Sequence, residues 1–391
     1  MALKSPAVKW CLTLMVLLLY SIPFYQAHFS SSPRGWGTLD SDEHLSNPPT
    51  YAEKPYFATR FVNRSQPGVQ CHVSSLAAAG DDRLICTWYA GSKEGGADVA
   101  IFSAFFEEKT GTWTEPQVLM DRQRSSAELR RWVGKVGNAV VVSDACGRLW
   151  LFYATLLGGW STASLNYTVS RDGGRTWSKS HRLILSPFFN LSTNLKNAGV
   201  SLSGGAYLLP VYHELLIKFS QLVRFRLDKA DPGFEIRKIV PSRHAIQPAL
   251  IPRDERTLVA FFRNAAEGGE SHVLRAESLD AGRTWAGLTA TSLPNPNSGF
   301  DMLRLPDGAI LGVVNPVFQD RTPLAMVISR DGGLTWTTRR VLEDARGREY
   351  SYPSLIRTAR YYHLTYTYER NRIKHVVFND AWLQGSAADD Q

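Results

Sequence analysis

An acid, two hydroxyls and an indole recur at fixed spacing in three octapeptides. They are SRDGGRTW (Ser170 to Trp177), SLDAGRTW (Ser278 to Trp285) and SRDGGLTW (Ser329 to Trp336), and all fit S-x-D-x-G-x-T-W. The chemistry these residue types support is hydrogen bonding inside a hairpin turn. Asp172, Asp280 and Asp331 can accept bonds from backbone N–H groups a little further on. Gly174, Gly282 and Gly333 supply the positive φ that such a turn needs. Trp177, Trp285 and Trp336 open the next strand and can plug the space under the turn. Nothing here calls for a ligand, so the box reads as a folding staple.

Other groups have the types that catalysis uses. GSKEGGADVAIF sets Glu94 and Asp98 in a glycine-rich loop between two strands. VYHE ends a strand on His213 and Glu214, and EYSYPSL places Glu349, Tyr350 and Tyr352 at a strand start. Carboxyls and imidazoles transfer protons, and strand-end arginines such as Arg263 and Arg321 can clamp an anion bidentately. No Cys/His cluster has metal-ligand spacing and no glycine loop has phosphate-binding form, so neither metal nor organic cofactor is expected.

The boxes also count the elements that must position these groups. Trp177 to Trp285 is 108 residues and Trp285 to Trp336 is 51. The longer interval is two periods, with a degraded box expected in the turn-like FRLDKADPGF (Phe225 to Phe234). KTGTW (Lys109 to Trp113) keeps only the tail of a box, and one more unit fits after Trp336. Runs such as RLICTWYA, GRLWLFYATL, TLVAFFRN and YHLTYTY are β-branched or aromatic and bounded by turn residues. Repetition of this kind predicts an all-β, six-bladed β-propeller.

The predicted organisation is a targeting segment over 1–27, a linker over 28–55, the propeller over 56–385 and a tail over 386–391. Lys4 and Lys9 precede the apolar run Trp10 to Phe24, which is shorter than the ~20 residues of a membrane span. It reads as a signal peptide, with an uncleaved signal anchor as the alternative. The expected location is therefore secreted, periplasmic or extracellular, or membrane-anchored through the N-terminal segment. Residues 28–55 are rich in Ser, Pro, Gly and Asp. Cys71 and Cys86 sit on adjacent strands and could pair, but buried free thiols are the simpler reading. Asn63, Asn166 and Asn190 head glycosylation sequons. The net charge of +8 is scattered, its densest stretch being Arg122 to Arg131, and no nucleic-acid motif accompanies it. A basic surface suits an acidic glycan. A monomer is expected.

The boxes, with GRLWLFY, LLPVYHE, LPNPNSGFDMLRLPDG, NPVFQDRTPLAMVISRDGG and EYSYPSL, resemble the sialidase (neuraminidase) superfamily, in its branch of exo-sialidases with Asp-box (BNR) repeats. The resemblance covers about residues 65 to 380. It implies a retaining exo-glycosidase that removes terminal sialic or related acidic sugars. Arginines would hold the sugar carboxylate. Because that carboxylate repels a carboxylate nucleophile, such enzymes use a tyrosine.

Residue by residue, the resemblance implies these roles. Arg263 and Arg321 match two members of an arginine triad. Tyr352 matches the nucleophile, with Tyr350 two residues away as the alternative. Asp98 matches the acid that protonates the leaving group, with Glu94 in reserve. The activating glutamate would fall near Gln247, which is no base, so Glu214 is the expected substitute, ahead of Glu349 or His213. The triad's first arginine is replaced by His72, which would complete the clamp with a pH-dependent charge. Trp88, Asn138, Trp160, Asn297, Asp301 and Arg372 are further pocket candidates. Two alternatives stay open: another acidic-glycan enzyme, such as a uronic-acid glycosidase or polysaccharide lyase, and a non-catalytic glycan-binding propeller.

Overall fold

The computed structural model describes residues 6–29, 36–40, 54–80, 82–186, 190–215, 217–227, 233–240, 242–266, 268 and 271–385. Most of the expected 28–55 linker, the centre of the Phe225 to Phe234 turn and the 386–391 tail lie outside the described residues.

Six antiparallel sheets form the blades of a propeller. Blade 1 is built on Gln70–Ala78, Arg83–Gly91 and Ala100–Glu107, and blade 2 on Lys135–Ser143, Leu149–Leu156 and Ala163–Ser170. Ala206–Glu214 and Lys218–Arg226 centre blade 3, and Ala245–Pro252, Leu258–Asn264 and His272–Ser278 make most of blade 4. Blade 5 runs Asp301–Arg304, Ile310–Val314, Leu324–Ser329 and Thr337–Glu343. Blade 6 runs Tyr350–Arg357, Tyr362–Tyr368 and Arg372–Phe378. Its fourth strand is Phe57–Phe61, which pairs with Arg372–Phe378 and joins the two ends of the ring. The first strands of blades 1 and 2, 4 and 5, 5 and 6, and 6 and 1 pack together around the axis. Strands such as Leu149–Leu156 are buried at every position, which explains their continuous apolar sequence.

All three boxes adopt one geometry between the third and fourth strands of blades 2, 4 and 5. Asp331 Oδ1 accepts from the Ser329 hydroxyl at 2.8 Å and the Thr335 N–H at 3.0 Å, and its Oδ2 accepts from the Thr335 hydroxyl at 2.6 Å. Asp172 and Asp280 repeat the pattern. These bonds favour the carboxylate, and they hold Asp172 down at about 2. Gly333 has φ +89°, and a Cβ there would stand 2.1 Å from Phe261 of blade 4. The same position in the first box, Gly174, abuts Phe105 of blade 1. Each of these boxes therefore wedges its turn against the preceding blade.

Pro6–Phe29 is one helix, and among the described residues no helix is long and apolar enough to cross a membrane. Trp36 to Asp40, in the 28–55 segment, packs on the propeller: Leu39 is buried and bridges Leu202, and Trp36 Nε1 donates to Ala281 O at 2.8 Å. The basic stretch beginning at Arg122 is a short helix, Arg122–Leu129, capped by Asp121. Cys71 and Cys86 are buried free thiols; Cys71 faces Ala90 and Cys86 faces Leu76 across the strand pair. Burial pushes the Cys71 thiol up to about 11.

Candidate active site

Four innermost strands carry the same irregularity. Register shifts interrupt blade 1 between His72 and Ser75, blade 2 between Gly137 and Ala139, blade 4 between Ile246 and Ala249, and blade 6 between Ser351 and Ser354. Each bulge contains a non-glycine residue at positive φ: Val73 at 51°, Asn138 at 35°, Gln247 at 51° and Tyr352 at 52°. All four line one cavity of about 230 Å³ at the axis. Left-handed backbone is costly for such residues and concentrates where a side chain must be aimed.

The bulge separates two tyrosines that simple alternation would place on one face. Tyr352 turns into the cavity, whereas Tyr350 is buried among the core residues of blades 5 and 6. Tyr352 Oη accepts from Arg263 Nη1 at 2.9 Å. The Arg321 guanidinium carbon lies 5.3 Å from the Tyr352 ring centre. Burial alone would raise the phenol's pKa, but Arg263 and Arg321 outweigh it and hold Tyr352 below its ordinary value. Arg263 is braced by Asn297 Oδ1 at 2.6 Å and Gln247 Oε1 at 3.2 Å. Gln247 thus stands where the activating glutamate was sought and serves as an acceptor for arginine.

The third positive charge comes from Arg370, in the turn between Tyr362–Tyr368 and Arg372–Phe378. Its Nε donates to Glu349 Oε2 at 2.6 Å and its Nη1 to Glu94 Oε2 at 2.6 Å. Glu349 also receives Arg321 Nη1 at 2.6 Å. Burial works to raise Glu349, yet Arg370 and Arg321 pull it down to about 2. It fixes two arginines and is unsuited to act as a base. No periodic signal marks Arg370 in the sequence; only its place at an inward-facing turn, in YERNR, could have pointed to it.

His72 does not supply the expected charge. It is 2% exposed, stacks edge-on to Tyr352 with ring centres 4.5 Å apart, and neither ring nitrogen has a partner among the described residues. Burial, aided by Arg370, lowers it to about 3, so it is neutral. The bulge at Val73 gives the cavity to the next residue instead. Asp98 also fails to reach the cavity. It is exposed and caps its own loop, accepting from Ser92 N at 2.7 Å and the Ser92 hydroxyl at 2.9 Å. Those bonds to Ser92 hold it below the ordinary carboxylate range. Its reserve, Glu94, does line the cavity. Burial works to raise Glu94, and the Arg370 pair more than offsets it. Glu214 also lines the cavity, and there burial wins and raises its pKa. His213 faces away, bonded through Nε2 to Gln221 Oε1 at 2.7 Å.

Of the remaining candidates, Asn138 and Trp160 line the cavity and Asn297 braces Arg263. Trp88 belongs to the blade 1 core, Arg372 stacks on Phe61 at 3.6 Å, and Asp301 borders a separate cavity of about 130 Å³. Sequence reasoning also missed Lys196, which is 3% exposed beneath the site. Its ammonium donates to Asn197 Oδ1 at 2.6 Å, Phe300 O at 2.8 Å and Pro353 O at 2.6 Å. Asn197 in turn donates to the Gln247 and Pro248 carbonyls, both at 3.2 Å. Together the pair tie blades 4, 5 and 6 next to two of the strained cavity residues. No group of three or more His, Cys, Asp or Glu among the described residues could hold a metal ion.

The site therefore combines three arginines, a tyrosine with a lowered pKa, and a carboxyl with a raised one. A family model described as a BNR repeat-like domain matches residues 82–364. No curated protein matches. Among solved structures, the chain is similar to the Hadza microbial sialidase Hz136, with a TM-score of 0.66 and 18% identity. That match covers 80% of this chain and 66% of the sialidase, just under two thirds of its length. The NanB sialidase of Streptococcus pneumoniae gives a TM-score of 0.63 at 11% identity, covering 82% of this chain and 70% of that one. The α-L-arabinanase of Penicillium chrysogenum, complexed with arabinobiose, gives 0.61 at 14% identity, covering 84% and 99%. At these identities the likeness shows a shared propeller fold. The chain itself belongs to the BNR repeat-like domain family.

Proposed function

We propose that this protein is a retaining exo-glycosidase that releases a terminal acidic sugar, of the sialic acid class, from a glycan. The observation that carries the reading is the convergence of Arg263, Arg321 and Arg370 with Tyr352 on one cavity. Glu349 and Glu94 already pair with Arg321 and Arg370, whereas Arg263 bonds only Asn297, Gln247 and Tyr352; a neutral sugar would leave that excess positive charge unmatched, and a sugar carboxylate would answer it. Its negative charge would also repel a carboxylate nucleophile and tolerate a phenol.

In this mechanism the Tyr352 oxygen attacks the anomeric carbon as the glycosidic C–O bond breaks. The attacking species is the Tyr352 phenolate: Arg263 and Arg321 favour it, and its proton passes to water before the attack, since Gln247 is no base. Glu214, expected from the sequence as the base beside Tyr352, takes the acid's part in this mechanism instead: it lines the cavity, burial favours its protonated form, and it donates the proton to the departing oxygen. Water then attacks the glycosyl-tyrosine, Glu214 recovers its proton, and Tyr352 is released. The N-terminal helix, with its signal-like sequence, directs the chain out of the cytoplasm, where acidic glycans are displayed. The test is turnover of a fluorogenic sialic acid glycoside between pH 4 and 8, with Tyr352→Phe and an arabinan control alongside. Release by the parent that falls at least a thousandfold in Tyr352→Phe is expected. Cleavage of arabinan alone would overturn the reading.

A further inference from the structure

The innermost strand of blade 3 is interrupted as well, over a longer stretch. Asn194 faces Tyr212 and Val200 faces Leu208, so the five residues 195–199 stand opposite three. The excess chain carries Lys196 and Asn197, both buried, against the backbone of blades 4, 5 and 6. Burying an ammonium is costly, and a methionine would fill the same space without that cost. What the ammonium adds is three donors, and all three are used. Asn197 gives its Nδ2 to the Gln247 and Pro248 carbonyls, so its oxygen is the end turned to Lys196. With three acceptors around it, the nitrogen has no direction left for a lone pair. Burial, joined by Arg263, lowers Lys196 to about 8, and Asp301 opposes the fall, so Lys196 is charged at neutral pH.

The backbone held in this way is the backbone that aims the site. Tyr352 and Gln247 each precede a proline, Pro353 and Pro248. A residue before proline is pressed toward extended backbone, yet these two have φ of 52° and 51°. Lys196 takes the Pro353 carbonyl, and Asn197 takes those of Gln247 and Pro248. The remaining acceptor, Phe300 O, follows Gly299, where a Cβ would stand 2.8 Å from Tyr352 Cδ1 and 3.1 Å from Gln247 Oε1. The Tyr352 ring and the Gln247 amide therefore lie against that glycine.

We infer that Lys196 is a positioning residue for the reaction: by gripping the backbone of blades 5 and 6 beside Tyr352, it keeps the phenol oxygen in line with the anomeric carbon. The inference rests on the proposed glycosidase reading and adds a residue that acts through the nucleophile. The carboxylate clamp is braced by other groups. Asn297 holds Arg263, and Glu349 holds Arg321 and Arg370. Loss of Lys196 should therefore separate bond breaking from carboxylate binding.

The experiment measures kcat for a fluorogenic sialic acid glycoside, and the inhibition constant of free sialic acid, in the full chain, Lys196→Met and Lys196→Gln. Thermal unfolding shows which variants are folded at the assay temperature. Lys196→Gln keeps an amide donor and decides alone if Lys196→Met does not fold. In Lys196→Met kcat should fall about 30- to 100-fold, because misplacing a reacting group by about 1 Å costs on that order, and in Lys196→Gln about tenfold. The inhibition constant should stay within about threefold in both. A folded variant whose kcat falls less than about threefold would overturn the positioning role alone. Equal changes in the two constants would overturn it as well, because general loosening of the cavity gives that result. A parent that releases no sialic acid would overturn the acidic-sugar reading, and the positioning role with it.

Discussion

Arg370 shows how a site can be legible in its members and illegible in its assembly. Arg263, Arg321 and Tyr352 stand out because each lies in a recognisable strand or box context. Arg370 lies in a turn, and its role depends on Glu349 and on Glu94, which is far away in sequence. His72 was misplaced for a local reason: a left-handed residue at Val73 shifts which side chain faces the axis. Asp98 was misplaced because Ser92 captures it inside its loop. Arg370→Met should raise KM for a sialic acid glycoside about 30-fold or more, since charge-assisted hydrogen bonds contribute about 2–3 kcal/mol; an unchanged KM would remove Arg370 from the clamp. His72 carries a stability prediction. Its folded pKa, about 3, lies below its ordinary 6.5. The unfolded chain therefore takes up a proton that the folded chain refuses, and stability drops as pH falls from 6.5 toward 3. His363 and His375 are also lowered by burial and act in the same direction. Urea midpoints at pH 7.5 and 5 should differ less in His72→Phe than in the parent, by the contribution of one titrating group. Equal pH sensitivity would mean His72 is not buried neutral.

The box was the most readable element. Its Ser, Asp, Gly and Thr specify a turn whose bonds are nearly all local, so sequence spacing alone locates blades 2, 4 and 5. What spacing could not reveal is the wedge, because Phe261 and Phe105 belong to other blades. Two glycines separate these effects. Gly173 has φ +68° with open space around its missing Cβ, whereas Gly333 has φ +89° with Phe261 at 2.1 Å. Gly173→Ala should cost about 1 kcal/mol from backbone strain. Gly333→Ala should cost about 2–4 kcal/mol, because overpacking adds to the strain. Urea unfolding of the two variants side by side checks the difference, and equal losses would dismiss the wedge. The bulges of the innermost strands were unreadable for a related reason. Nothing in SYPSL marks Tyr352 as left-handed, and the conformation is held from outside by Lys196 and its bond to Pro353 O.

At the scale of the whole molecule, six sheets were legible from period and length, and the ring closure was not. Phe57–Phe61 reads as an ordinary short strand; its partner is fixed only by register, from Phe57 opposite Phe378 to Phe61 opposite Lys374. A chain beginning at Lys54 should keep cooperative thermal unfolding, with a lower Tm from the loss of buried Leu39. A chain beginning at Arg64 loses the closing strand and should unfold broadly or aggregate; a sharp transition at the parent's Tm would show that closure contributes little. The same pairing governs how the protein is made. During synthesis the Phe57–Phe61 segment leaves the ribosome before any blade and must wait until all the intervening strands are translated before its partner, Arg372–Phe378, appears. Contacts of such long sequence separation form slowly. Until they form, the segment and the open edge of blade 6 are templates for strands of neighbouring nascent chains. Protection of that one edge, by a chaperone or by slow dilution, should therefore set the yield of refolded protein more than any feature of the active site.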